Sequence, residues 1–166
     1  MNPNCAQEYY DYTYWAFERV WGCIMQLTDD QFTQHIEYSA GSVRNHIIHM
    51  MSATRRWIKR LEGAEVPPHL SFDDYTTRKA TKAKWDEIRA EVMEYICTLT
   101  QAQLDEIIQW ELPSRGVKHE NRRWEVLLHV ANHTTDHRSQ MLAMINQTFG
   151  IETVEQDMIF YLVESK

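Results

Sequence analysis

Apolar side chains recur at helical spacing in four stretches of this chain, and the breaks between them carry the turn residues. The first stretch runs from about Gln7 to Leu27, where Tyr10, Tyr14, Phe17, Val20, Trp21, Ile24 and Met25 share one side, and LTDDQF closes it. Ser42 is placed to cap a second helix that reaches about Leu61 before Gly63 and the Pro67–Pro68 pair stop it. After the polar loop HLSFDDYTT, a third helix is expected from Asp74 or Thr76 to Leu99, carrying Trp85, Ile88, Val92, Tyr95, Ile96 and Leu99. The alternation in IIQWEL, followed by Pro113-Ser-Arg-Gly116, reads as a small hairpin. A fourth helix spans about Arg123 to Phe149 and ends at Gly150, and DMIFYLVE makes a short terminal helix. Four long helices with two longer connections predict an all-α, four-helix bundle with a small hairpin before the last long helix.

Composition narrows the class. At 166 residues the chain is expected to form one domain over 1–166, and six Trp, eight Tyr and eight Met supply the bulk for its core. The formal charge of −7 and the lack of any long basic block argue against nucleic acid, since RRW at Arg55–Trp57 and NRRW at Asn121–Trp124 are short and lie inside apolar patterns. Three widely spaced cysteines (Cys5, Cys23 and Cys97) without a CxxC suggest reduced thiols. No basic-then-apolar leader and no apolar run of membrane length is seen, so the expectation is a soluble cytoplasmic protein with no membrane partner.

Candidate chemistry lies in the histidines. His129, His133 and His137 stand four residues apart in LLHVANHTTDHRSQ, and His46 and His49 sit together in GSVRNHIIHM. Residues four apart share a helix face, so an i, i+4 pair can direct two imidazoles at one ion, with a third from a neighbouring helix. At ~100° per residue, His137 falls inside the apolar arc of its helix, His133 at the margin and His129 further out. On the second helix, Val43, Ile47, Met50, Thr54, Trp57 and Leu61 mark the apolar centre, and the pattern favours His46 over His49 as the inward group. Periodicity leaves that choice open.

GSVRNHIIHMMSATRRWIKRLEG and WEVLLHVANHTTDHRSQMLAMINQTFG, with the closing TVEQDMIFYLVE, resemble the DinB/YfiT-like family over most of the chain. The most specific element is the NHxxxHR run Asn132-His133-Thr134-Thr135-Asp136-His137-Arg138. The resemblance implies a four-helix bundle, frequently a homodimer, that holds one divalent metal, nickel or zinc, through three histidines. By position those are His49, His133 and His137, so the resemblance selects His49 where the wheel favours His46. Ser139 departs from the Gly that relatives commonly carry after the HR pair. Some relatives are thiol-dependent transferases or isomerases that use bacillithiol, mycothiol or glutathione as cosubstrate, and most have no known reaction.

The expectation is therefore a metal-dependent enzyme with thiol S-transferase-like chemistry on a small-molecule electrophile, a low-molecular-weight thiol being the cosubstrate. A small metal-dependent hydrolase uses the same centre, although the absence of an HExxH element speaks against a protease mechanism. A non-catalytic dimeric bundle with a structural metal is the third reading, and it needs a fourth protein ligand, for which His46 is the candidate. Asp136 is expected at the surface or behind the ligands. Arg138 is expected either to bind a substrate carboxylate or to form a structural salt bridge. Tyr10, Tyr14 and Trp15 are expected in the core or at a pocket mouth, and no cysteine is supported as nucleophile.

Overall fold

The computed structural model describes residues 1–165, and these form a mostly helical fold with one small two-stranded sheet. In chain order they are α1 (Pro3–Ile24), α2 (Asp29–Thr33), α3 (Val43–Leu61), α4 (Arg78–Cys97), α5 (Gln101–Asp105), β1 (Ile107–Leu112), β2 (Val117–Arg122), α6 (Arg123–Phe149) and α7 (Met158–Glu164). Short 3₁₀ turns at Phe72–Asp74 and Pro113–Arg115 complete the list.

The long helices begin where polar caps meet apolar periodicity. Asn2 accepts from the Cys5 amide at 2.8 Å with Pro3 following, so α1 starts four residues earlier than the expected Gln7. Ser42 caps α3 through the Asn45 amide at 3.1 Å. Thr77 caps α4, which therefore begins at Arg78 rather than at Asp74 or Thr76. Two short helices were not expected, and both have the same cause. Thr28 with Gln31 and Thr100 with Gln103 form reciprocal capping boxes that turn α2 and α5 out of presumed loop. At the end of α6, Gly150 adopts the left-handed conformation at φ 68, where a side chain would be strained.

α1 packs on α4 and α6, and α3 packs on α4 and α6. Phe17 stacks on Trp85 at 3.7 Å, and Ile24, Ile47, Met50, Ile96, Leu127 and Met141 are fully buried between the helices. Tyr10 donates from its hydroxyl to the Leu127 carbonyl at 2.9 Å, and Tyr14 is buried against Trp85, so both belong to the core. Trp15 packs instead on Tyr161 of α7. α3 and α6 run antiparallel: His46 meets His137, His49 meets His133, and the Leu61 carbonyl meets Arg123. That seam positions the histidines.

The hairpin pairs Ile107 with Arg122 through Leu112 with Val117 in antiparallel register. Its alternation turns Ile108, Trp110 and Leu112 toward the helices, and Trp110 meets Trp57 of α3 edge-on at 5.2 Å. Among the described residues no helix is long and apolar enough to cross a membrane.

Candidate metal centre

α3 supplies His46 and His49 from its first two turns, and α6 supplies His129, His133 and His137 from its middle. His49, His133 and His137 converge, each offering one ring nitrogen, with all three nitrogens within 4.8 Å of one another. His133 Nε2 lies 3.1 Å from His49 Nε2 and 3.2 Å from His137 Nε2. A metal–nitrogen bond of about 2.0–2.1 Å at tetrahedral angles puts neighbouring donor nitrogens about 3.3 Å apart. The two separations made by His133 therefore match those between neighbouring ligands of one ion, and the third nitrogen pair lies within 4.8 Å.

The nitrogen chemistry fits a cation as well. His133 Nε2 carries either one hydrogen or one lone pair, so it cannot donate to one neighbour while accepting from the other. One divalent ion takes the lone pairs of all three rings together. Burial depresses every imidazole in the cluster, which keeps them neutral and competent as ligands. The His133 pKa is pushed down to about 3, first by desolvation and then by its histidine neighbours. His49 and His137 are lowered by burial too, with Asp136 partly offsetting the effect at His137.

His46 occupies a different place. It is fully buried, and its Nδ1 faces His137 Nδ1 at 2.9 Å, on the side of that ring turned away from the cluster. With His137 Nε2 used as a ligand, His137 Nδ1–H donates to His46 Nδ1, and the remaining hydrogen rests on His46 Nε2. That atom is buried without a partner among the described residues. Burial and the neighbouring rings push the His46 pKa down to about 4. His129 is exposed, its ring 6.2 Å from that of His133 and 5.4 Å from Trp57.

The other sequence candidates also resolve. Asp136 is exposed and accepts from Gln140 Nε2 at 3.2 Å. Arg138 is fully buried and forms no salt bridge among the described residues, because its partners are neutral. It donates to the Thr13 carbonyl (3.2 Å), Gln156 Oε1 (2.9 Å) and Thr135 Oγ1 (3.0 Å), with its guanidinium over the Tyr12 ring. The Ser139 hydroxyl accepts from Gln156 Nε2 at 3.2 Å, so the departure from Gly joins the same tie between α6 and the C-terminal segment. Cys23 is buried, and burial raises its thiol pKa, which disfavours a nucleophilic thiolate.

One feature was missed from the sequence. A cavity of about 300 Å³ opens at His129, whose ring is 6.2 Å from that of His133, and is lined by Trp57, Trp110, Leu112 and Val126 with Asn121 and Glu125. Its wall forms only when the hairpin folds onto α3 and α6. The alternation of IIQWEL, which puts Trp110 on the face of Ile108 and Leu112, was the available signal.

The model of the DinB family matches residues 1–164. The chain belongs to the DinB family. Protein DinB of Bacillus subtilis (strain 168) is 27% identical over 167 residues, spanning 97% of this chain and 95% of that protein. A crystal structure of a DinB-like protein from Bacillus cereus ATCC 10987 superposes with a TM-score of 0.63 at 17% identity, over 84% of this chain and 89% of the other. At that identity the likeness speaks for the fold. Membership together with the three-histidine cluster fits a metal-binding protein of this family.

Proposed function

We propose that this DinB-family protein is a metal-dependent enzyme whose divalent ion, nickel or zinc, is held by His49, His133 and His137. The reading continues to thiol S-transferase-like chemistry on a small electrophile, with a low-molecular-weight thiol as cosubstrate. What carries it is the convergence of three imidazole nitrogens with His46 set behind His137. An ion bound by three neutral ligands keeps its full charge and lowers the pKa of a water or thiol that reaches it. The chain's own contribution is to hold the three rings neutral, to fix the tautomer of His137 through His46, and to offer an apolar cavity next to His129 for the rest of the substrate. The closed structural site has less support, since the near nitrogen of His46 is already engaged with His137.

On this reading α1, α3, α4 and α6 are the four helices of a bundle, consistent with each packing on two of the others. A cytoplasmic homodimer belongs to the same proposal, and light scattering of the purified protein checks its assembly state.

Elemental mass spectrometry of the untagged protein tests the centre. The expected result is close to one divalent ion per chain, lost in His49→Ala and in His133→Ala and retained in His46→Ala. Absence of metal after reconstitution sinks the enzyme reading. With metal present, conjugation of an electrophile that requires added thiol supports transfer, and ester or amide cleavage without thiol supports a hydrolase instead.

A further inference from the structure

We propose that the stripe of α3 running from His49 to Arg56 and Arg60 binds a small ligand with a carboxylate at the end of an apolar segment, the carboxylate lying on Arg56 and Arg60. This rests on the metal-centre reading for the identity of the reactive end. On α3, Arg56 follows His49 by seven residues and Arg60 by eleven, which at ~100° per residue puts all three within about 20° of one stripe. Helical side chains lean toward the N-terminus, so both guanidinium groups lean back toward His49. Ala53 is the small residue between them and His49 on that stripe, and the aromatic cavity of Trp57, Trp110 and His129 adjoins it through Trp57, which lies under Arg60, and through His129, whose ring is 6.2 Å from that of His133.

Both arginines are held in place yet uncommitted in charge. The Arg60 guanidinium stands 5.0 Å over the Trp57 ring, and Arg56 Nη1 donates to the Pro67 carbonyl of the loop after α3. That loop is pinned by the Leu70 amide donating to Ser52 Oγ at 2.8 Å, and it brings His69 into the same space. Burial lowers the His69 pKa, and Arg56 and Arg60 lower it further.

Neither Arg56 nor Arg60 forms an ion pair among the described residues. The neighbouring carboxylates are occupied elsewhere. Glu62 takes Lys59 at 2.8 Å, and Glu125 accepts from Asn121 Nδ2 and the Arg122 amide at the start of α6. On a chain of net charge −7, two unpaired guanidinium groups beside an apolar cavity select an anion locally against a repulsive background. The planar fork of arginine suits a carboxylate in particular.

The test uses the full-length protein loaded with cobalt(II), whose near-ultraviolet thiolate band reports thiol binding. 6-Mercaptohexanoate is expected to half-saturate at a concentration on the order of tenfold lower than 6-mercaptohexanol. The Arg56→Gln/Arg60→Gln double variant should erase that preference while keeping its cobalt content, and Arg56→Lys/Arg60→Lys should restore part of it. Equal affinities in the unmodified protein, or a preference that survives in the glutamine variant, overturn the proposal. Hexanoate added as competitor assigns the carboxylate: effective competition places it on a thiol-free substrate, and weak competition on the thiol, with carboxylate binding upheld either way. Should the protein bind no cobalt, the metal-centre reading fails separately. The arginine site is then read by tryptophan fluorescence with hexanoate, where a saturable change lost in the glutamine variant upholds it and no saturable change overturns it.

Discussion

A helical wheel places His46 nearer the apolar centre of α3 than His49, and His46 is fully buried, yet it stands behind the candidate ligands. The physical reason is general to an open metal centre. A ligand that shares its ion with substrate has to lie at the margin of the apolar face, and the centre of that face is closed to solvent. His49 and His133 are half-buried, as that requires, while His137 at the buried end needs a partner for its second nitrogen, which His46 supplies. His46→Ala should therefore keep all three ligands but weaken metal affinity by about 10–100-fold, the usual effect of losing the group that orients a ligand. Competition with a chelator of known affinity measures it, and an unchanged affinity would show that His46 only fills space. The same burial has a consequence for pH. In the metal-free protein His133 and His46 are held near about 3 and about 4, against the ordinary 6.5. Below 6.5 the unfolded chain takes up protons that the native rings refuse, so stability falls as pH drops from there toward the depressed values, and these groups add no dependence above it. Urea midpoints of the metal-free protein should decline between about pH 6.5 and about pH 5, and less steeply in His133→Leu. Parallel declines in both proteins would refute the assignment.

Elements were legible in the sequence where a face repeats, and illegible where a cap or a tertiary contact decides. The span of α6 agrees with its expected Arg123–Phe149 because apolar periodicity and Gly150 mark both ends, whereas α2 and α5 rest on five residues each and on capping boxes that have no periodic signal. The i, i+4 spacing nominated His133 and His137 and the family resemblance nominated His49 over His46; the structure brings those three rings together, a convergence that periodicity does not report because it gives depth and not which ring nitrogens meet. The role of Arg123 was invisible for a related reason. It is the first residue of α6 and nearly buried, and its partners come from four separate places. It donates to the Gln103 carbonyl (2.9 Å), the Tyr95 hydroxyl (2.6 Å), Glu106 (2.5 Å) and the Leu61 carbonyl, joining the ends of α3, α4 and α5 to α6. Arg123→Met keeps much of the stem and strands those acceptors. It should cost about 2–4 kcal/mol, or roughly 5–15 °C of melting temperature, without loss of bound metal, because the histidines lie further along the seam. A melt within about 2 °C of the parent would show that water replaces these bonds at no cost.

Across the whole molecule, the candidate ligand set joins two helices that the chain keeps far apart, His49 on α3 and His133 on α6 being 84 residues distant in sequence. An ion there binds only when α3 and α6 are docked with His49, His133 and His137 in register, so its binding energy becomes folding energy. A saturating metal at about 100 times its dissociation constant adds about 2.7 kcal/mol to stability. For a chain of this size that corresponds to a rise of roughly 5–10 °C in melting temperature. Nickel or zinc added to the metal-free protein should produce such a rise, and excess chelator should reverse it. His49→Ala should melt at the same temperature with and without metal, because two ligands on one helix no longer tie it to its neighbour. A rise of equal size in His49→Ala would place the bound ion somewhere other than the α3–α6 seam. The absence of any rise in the parent protein, with metal shown to be bound, would mean that the unfolded chain holds the ion as tightly through the His133 and His137 pair, and the cross-link would then contribute nothing to holding the fold together.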